Sequence, residues 1–215
     1  MVSAAAARRP RIGVLAVQGA VSEHEAALAD VGARTSRVRV PADLEGLDGL
    51  VIPGGESTTV GLVAGESGLL DAMRARADAG MPVLGTCAGM IMLADGVAGG
   101  GPQPLVRGMD IVVRRNAFGR QVHSFEAPVD MPVLGDPPVR GIFIRAPWIE
   151  HVGPSVEVLA EHGGHPVAAR DATRIVAAFH PELTDDRRLH RLFLEGIGPR
   201  SAGMEHEEDA VVGAQ

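Results

Sequence analysis

The segment Val83-Leu-Gly-Thr-Cys-Ala-Gly-Met90 decides the fold, because an apolar strand runs into Gly-x-Cys-x-Gly and a helix-like run follows. Glycines on both sides of Cys87 allow the sharp turn that presents one side chain at the end of a strand. Cys87 is the only cysteine in the chain. A lone cysteine after an apolar strand is often an inert core residue. The turn makes it a candidate nucleophile, which needs a base from elsewhere in the chain.

That base is predicted at the end of a second apolar strand, where Arg174 to Phe179 is followed by His180-Pro-Glu182. Residues two apart in extended backbone face the same side, so both side chains can line one wall of a cleft. The glutamate can fix the tautomer of the imidazole, which is the third role in a Cys-His-acid triad. Open α/β sheets form their sites at the carboxyl ends of strands. Cys87, His180 and Glu182 are therefore the predicted catalytic residues.

Strands and helices alternate through the outer parts of the chain. Apolar runs predict buried parallel strands at 11–17, 49–52, 82–86 and 174–179, and a further strand is predicted at 35–40. Helical patterns cover 22–31, 69–79 and 186–196. Ser22, with Glu25 three residues later, is the predicted cap of the first helix. Short strands separated by turn residues are predicted at 109–114, 121–129, 141–144, 156–161 and 166–170, and a loop at 96–104. The pattern predicts an α/β fold with a mostly parallel central sheet, helices on both faces and a smaller antiparallel or mixed region.

Composition limits the domain count and the function. With 215 residues and 46% hydrophobic content, the chain is expected to form one domain over residues 11–198, between a flexible extension at 1–10 and a disordered acidic tail at 199–215. The net charge of −7 argues against nucleic-acid binding. All 20 basic residues are arginines, so Schiff-base and P-loop lysine chemistry are excluded for this chain. A single cysteine and no apolar run of about 20 residues predict a cytoplasmic protein outside the membrane.

A glycine turn, Pro53-Gly-Gly-Glu-Ser-Thr-Thr59, follows the strand at 49–52. It is either a plain strand-to-helix turn capped by Ser57 or Thr58, or part of an oxyanion hole. In the second case the backbone N–H groups of Gly55 and of Ala88 would stabilise a developing negative oxygen.

Together, Gly-Thr-Cys-Ala-Gly-Met, Pro-Gly-Gly-Glu-Ser-Thr-Thr and His-Pro-Glu resemble the class I glutamine amidotransferases. More narrowly, the chain is similar to the glutaminase subunits of pyridoxal 5′-phosphate synthase, through Ala16-Val-Gln-Gly-Ala-Val21 with Glu23-His24, through Arg115-Asn-Ala-Phe-Gly-Arg-Gln121 and through Phe143-Ile-Arg-Ala-Pro147. The resemblance covers roughly residues 11–196. It implies hydrolysis of L-glutamine to L-glutamate and ammonia through a thioester on Cys87.

The resemblance also implies the surroundings of the triad. The glutamine-binding positions are Gly55, Glu56, Ser57, Arg120, Ile144 and Arg145. Ammonia would pass to a barrel-shaped, oligomeric synthase subunit, with Gln18 and the segment from Ala20 to His24 at or near the docking face. No cofactor or metal is expected, since His162-Gly-Gly-His165 is interpreted as a hairpin turn. The remaining histidines, including His24 and His190, are predicted at the surface or an interface.

Three alternatives stay open. The triad alone is equally compatible with the glutaminase subunit of another synthase, such as the one that makes imidazole glycerol phosphate, and only the Gln18 and Asn116–Gln121 motifs separate the two. A non-enzymatic sensor or chaperone with a reactive cysteine belongs to a different class, but it would need no His-x-Glu after a late strand. A purely structural subunit is disfavoured because all three triad residues are present.

Overall fold

The computed structural model describes residues 8–99, 101–117 and 124–197. The described strands are β1 Arg11–Leu15, β2 Arg34–Val38, β3 Gly49–Ile52, β4 Val83–Thr86, β5 Ala94–Ala98, β6 Met109–Arg114, β7 Phe125–Val129, β8 Val139–Phe143, β9 Trp148–Val152, β10 Glu157–His162, β11 His165–Arg170 and β12 Arg174–Ala177. The described α-helices are α1 Val21–Asp30, α2 Ser57–Glu66, α3 Leu69–Asp78, α4 Ala88–Leu93 and α5 Arg188–Glu195. Short 3₁₀ turns lie at Pro41–Leu44, Pro132–Leu134 and Pro181–Leu183.

A seven-stranded sheet in the order β10-β11-β12-β4-β3-β1-β2 forms the centre of the molecule. The five strands from β12 to β2 run parallel, and β10 and β11 extend that edge in antiparallel fashion. Two small sheets, β5-β6-β9 and β7-β8, make up the mixed and antiparallel region. The predicted α/β class and its smaller second region are therefore confirmed.

The interior strands are apolar along their whole length because both faces of the sheet are covered. β3 and β4 are buried at all four positions, and Ile12, Leu50, Leu84 and Val176 are at most 1% exposed. Helix α3 shows the matching amphipathic pattern, with Leu69, Leu70, Met73 and Ala77 on its buried side.

The structure corrects several local predictions. Strands β10 and β11 join the main sheet instead of the smaller region. Residues 94–98, partly predicted as loop, form β5, and β9 had no sequence prediction. Helix α1 begins at Val21 without a side-chain cap, and Ser22 lies inside it with its hydroxyl bonded to Glu23. These elements are short and carry few apolar residues, so tertiary pairing and not local pattern determines them.

The order and direction of the strands bring the candidate site residues to one edge of the sheet. Strands β12, β4, β3 and β1 are consecutive neighbours and parallel, so the segments after them emerge at one edge of the sheet. Those segments contain His180, Cys87, the glycine turn at 53–55 and Gln18, in that spatial order. Among the described residues, no helix combines the length and apolar character that crossing a bilayer requires.

Candidate active site

Cys87 sits on a strained turn between β4 and α4. Its backbone has φ 50° and ψ −102°, a conformation that residues other than glycine rarely adopt and that tends to occur at functional sites. The flanking glycines serve close packing, because a Cβ on Gly89 would clash with the carbonyl oxygen of Ile52 and one on Gly85 would come 2.6 Å from the backbone of Gly89. The predicted turn is present, and its strain is carried by the cysteine itself.

His180 and Cys87 meet because their strands are neighbours. β4 and β12 pair in register through Thr86 and Ala177, and the N–H of Cys87 donates to the carbonyl of Ala177 at 2.8 Å. A Cβ built on Gly54 would lie 3.3 Å from Cβ of Cys87 and would clash with Cε1 of His180, so both side chains border that one point. The thiol of Cys87 points toward the carbonyl oxygen of Ile144, 3.8 Å away.

Glu182 lies behind His180, away from solvent. Nδ1 of His180 is 2.7 Å from Oε1 of Glu182, and the side chains are 10% and 0% exposed. The tight 3₁₀ turn at 181–183 directs both side chains to the same interior space. The expected hydrogen bond between these two residues is therefore observed, in a helical turn and not in the extended backbone that the sequence suggested.

The charges of this group are coupled. Burial would lower the pKa of His180, but hydrogen bonds and negative charge from Cys87 and Glu182 outweigh it and raise that pKa to about 10. Burial likewise disfavours the charged form of Glu182, yet the hydrogen bond from His180 and the charges of His24 and His180 lower its pKa. At neutral pH, His180 is thus an imidazolium beside a carboxylate, and it can give a proton to a departing group.

A cavity of about 370 Å³ opens in front of the cysteine, within the size range of small-molecule sites. Nine of the residues predicted for the triad, oxyanion hole, substrate or partner line it: Gln18, Gly55, Glu56, Ser57, Cys87, Ala88, Ile144, Arg145 and His180. Glu182 supports the wall from behind, and Arg120 lies outside the described residues. Arg115 and Asn116 also line the cavity, although the sequence analysis treated them only as parts of a motif.

The glycine turn forms the floor of this cavity. Gly55 has φ +155°, which favours glycine, and the next N–H, that of Glu56, donates to Oε1 of Gln18 at 3.1 Å. The side chain of Gln18, predicted at a docking face, therefore braces the turn from within the site.

Glu56 has a role that the sequence analysis did not predict. Its carboxylate accepts hydrogen bonds from the N–H groups of Thr58 and Thr59 at 3.2 and 2.8 Å, so Glu56, and not Ser57 or Thr58, caps α2. The same carboxylate binds Arg115 at 2.6 Å. Although partial burial opposes it, the hydrogen bonds from Thr59 and Thr58 and the charge of Arg115 lower the pKa of Glu56 to about 2.

Two histidines that were predicted at the surface or an interface lie in the interior of the fold. His24 and His190 are both 0% exposed. They lie where α1 and α5 pack behind the 3₁₀ turn that carries Glu182, so burial of the helix interface encloses them. By contrast, His162 and His165 end the strands of a hairpin whose turn residues, Gly163 and Gly164, have positive φ, as predicted. Within the described ranges, no group of three His, Cys, Asp or Glu side chains could hold a metal ion.

The sequence profile of the SNO glutamine amidotransferase family matches residues 14–198. The chain belongs to this family. It is 55% identical over 195 residues to the pyridoxal 5′-phosphate synthase subunit PdxT of Frankia casuarinae, covering 90% of this chain and 97% of the relative. It is 56% identical over 189 residues to the PdxT subunit of Streptomyces avermitilis, covering 87% and 94%.

Solved structures agree. One described as a glutamine amidotransferase is 47% identical and covers 86% of this chain and 98% of its own, with a TM-score of 0.82. PurLQS from Thermotoga maritima, at 13% identity and a TM-score of 0.63 over 89% and 100% of the two chains, shares the fold. The family predicted from the sequence motifs is thus confirmed.

Proposed function

We propose that the chain hydrolyses L-glutamine to L-glutamate and ammonia and delivers the ammonia to a synthase subunit for pyridoxal 5′-phosphate formation. The observation that carries the proposal is Cys87, on a strained turn, beside an imidazole hydrogen-bonded to a buried carboxylate, at a cavity of about 370 Å³. The family membership and the names of the relatives support the same activity.

In the proposed reaction, the sulfur of Cys87 attacks the side-chain carboxamide carbon while His180 holds the thiol proton. The C–N bond of the tetrahedral intermediate then breaks, and the imidazolium protonates the departing ammonia. Water, deprotonated by His180, attacks the thioester, and the C–S bond breaks to release glutamate and restore the cysteine. Glu182 fixes the tautomer of His180 and stabilises the imidazolium through the 2.7 Å contact.

The N–H groups of Gly55 and Ala88 are proposed as the oxyanion hole, because both residues border the cavity beside Cys87. Arg145 and Arg115 supply positive charge for the α-carboxylate of glutamine, and Ser57 and the carbonyl of Ile144 supply polar contacts. Glu56 acts by holding Arg115. Arg120 stays a prediction.

The partner is proposed to be a barrel-shaped, oligomeric synthase subunit that docks near Gln18. The lack of lysine in this chain means that the lysine chemistry needed to build the product has to come from the partner. Residues 11–198 are proposed as the amidotransferase domain, between the terminal segments at 1–10 and 199–215. The single cysteine favours the cytoplasm.

Ammonia release from glutamine tests the proposal, measured for the parent and for Cys87→Ser, each with and without the synthase subunit. We expect little release by the isolated chain, a large increase on adding the synthase, and loss of release in Cys87→Ser. An electrophilic glutamine analogue should modify Cys87 in the parent. A parent that stays inactive beside its synthase would contradict the function, and an active Cys87→Ser would contradict the triad.

A further inference from the structure

We propose that His24 is a positioning residue for the glutaminase reaction, holding the second carboxylate oxygen of Glu182 through a ring proton that His190 keeps on Nε2. The inference rests on the proposed function and extends the triad by two buried histidines. Neither histidine borders the cavity, and the Glu23-His24 motif by itself gives His24 no part in the reaction. The contacts behind Glu182 carry it.

Glu182 uses one oxygen for His180, and the other lies toward His24. Oε2 of Glu182 is buried without a hydrogen bond of standard geometry to any described residue, while Nε2 of His24 is 3.3 Å away. The same Nε2 is 3.1 Å from the hydroxyl oxygen of Thr86. On its other side, Nδ1 of His24 is 3.1 Å from Nε2 of His190. A line of ring nitrogens therefore runs from the reacting centre into the interface of α1 and α5.

One arrangement of protons gives the buried Oε2 of Glu182 a donor. With a proton on Nε2, His24 faces the Glu182 carboxylate as a donor and accepts at Nδ1 from the Nε2–H of His190. Nδ1 of His190, which is buried without a hydrogen-bond partner among the described residues, then carries a lone pair. In the reverse arrangement, Nε2 of His24 can accept a hydrogen bond from the hydroxyl of Thr86, but Oε2 of Glu182 then gains no donor from His24. That arrangement also leaves the Nδ1–H of His190 without a partner among the described residues, and a buried unpaired donor is costly.

Burial keeps both histidines neutral, which the arrangement requires. Desolvation is the largest influence on His24 and lowers its pKa, opposed by the negative charges of Glu182 and Glu23 and assisted by His180. Desolvation and the neighbouring His24 lower the pKa of His190 to about 3, although Glu182 and Asp186 oppose this shift and Arg187 assists it. Each ring therefore has one proton to place, and its neighbour decides on which nitrogen.

The consequence for catalysis is a carboxylate fixed at both oxygens. If Oε2 lost its donor, Glu182 could rotate away from His180, and the imidazole would lose the contact that sets its orientation. Such a loss affects the rate of the chemical step more than substrate binding, because His24 does not border the glutamine cavity.

Two amide variants separate this role from simple packing. His24→Gln places an amide nitrogen near the position of Nε2 and keeps a donor for Glu182, whereas His24→Asn reaches only the Nδ1 position, toward His190. In the complex with the synthase, we expect kcat to fall roughly 10- to 100-fold in His24→Asn and less than about fivefold in His24→Gln, with KM nearly unchanged in both. His151→Asn, at an exposed position on β9, is the control and should match the parent.

Nitrogen-15 NMR of the parent, with labelled histidine, tests the proton arrangement without relying on activity or on a variant that folds. Both rings should be neutral at pH 7 and above, with the proton on Nε2. A His24 that carries its proton on Nδ1, or that titrates near 6.5, would overturn the inference, as would equal kcat losses in the two amide variants. An inactive parent would instead contradict the proposed function, and the NMR result would then test by itself whether Nε2 of His24 carries the proton.

Discussion

The two walls of the site are built differently. On one wall, Cys87 and His180 follow adjacent parallel strands, and Glu182 is fully enclosed behind them. On the other, Glu56 lies in a turn and Arg115 directly follows β6, and their side chains are 39% and 31% exposed. An ion pair of 2.6 Å joins the two segments of this second wall. The first wall is held by the sheet, and the second by a contact at the mouth of the cavity.

This difference assigns proton transfer to the first wall and substrate binding to the second. Residues that transfer protons need fixed distances, which strands and buried packing provide. Residues that admit and hold a substrate can lie on loops, where binding residues are frequently found. Disturbing the first wall should therefore lower kcat, and disturbing the second should raise KM.

The strongest test of the rigid wall is Gly54→Ala. The new methyl group would collide with Cε1 of His180 and lie 3.3 Å from Cβ of Cys87, so the imidazole would have to leave its position. Because a misplacement of about 1 Å can cost roughly 100-fold in rate, we expect kcat to fall by about that factor or more. Gly65→Ala, in the exposed part of α2 with no atom within 4 Å of the new methyl, should keep full activity. Steady-state kinetics of the two variants in the presence of the synthase give the comparison. Similar kcat values for both would contradict the idea that the first wall is rigid.

A smaller effect, on KM and not on kcat, is expected from Arg115→Met. The change removes the ion pair with Glu56 and the hydrogen bond from Arg115 to the hydroxyl of Thr58 at 3.1 Å. We expect KM for glutamine to rise about 10- to 100-fold with a modest change in kcat, because the variant loses a charged hydrogen-bond donor for the substrate carboxylate. Arg114→Met, which breaks the exposed ion pair with Glu150, is the matched control. A fall in kcat alone would place Arg115 with the chemistry.

The same contrast explains what the sequence predicted. The strands before Cys87 and His180 are continuous apolar runs, and a parallel sheet brings their carboxyl ends together, so the rigid wall follows from pattern and topology. Ser57, Ile144 and Arg145 were assigned to glutamine binding through the resemblance, and no periodicity of the sequence indicates them.

The missed features depend on tertiary contacts that leave no local trace. Glu56 could be assigned as the cap of α2 only after its reach to two N–H groups was visible. His24 and His190 are 166 positions apart, and nothing in either helix signals that they meet behind Glu182. The spacing of His24, Ala27 and Leu28 along the chain could have predicted that His24 shares the buried face of α1, although not which residues it meets there.

The smallest expected effect concerns the stability of the rigid wall as pH rises. The pKa of His180 is about 10 in the folded protein against 6.5 for a free histidine, so the folded state binds this proton more tightly. Its contribution to the free energy of unfolding is complete below pH 6.5 and is lost as pH rises through 10.

Cys87→Ala removes one of the groups that raise this pKa, so the variant should lose less stability between pH 6.5 and 10, by about 1–3 kcal/mol. Urea unfolding of parent and variant at several pH values measures the difference. Arg114→Met, which changes an exposed ion pair with Glu150 and no group named among the causes of the His180 shift, should follow the parent curve. Parallel curves for the parent and Cys87→Ala would mean that the cysteine does not raise the pKa of His180. Glu182 alone would then stabilise the charged imidazolium.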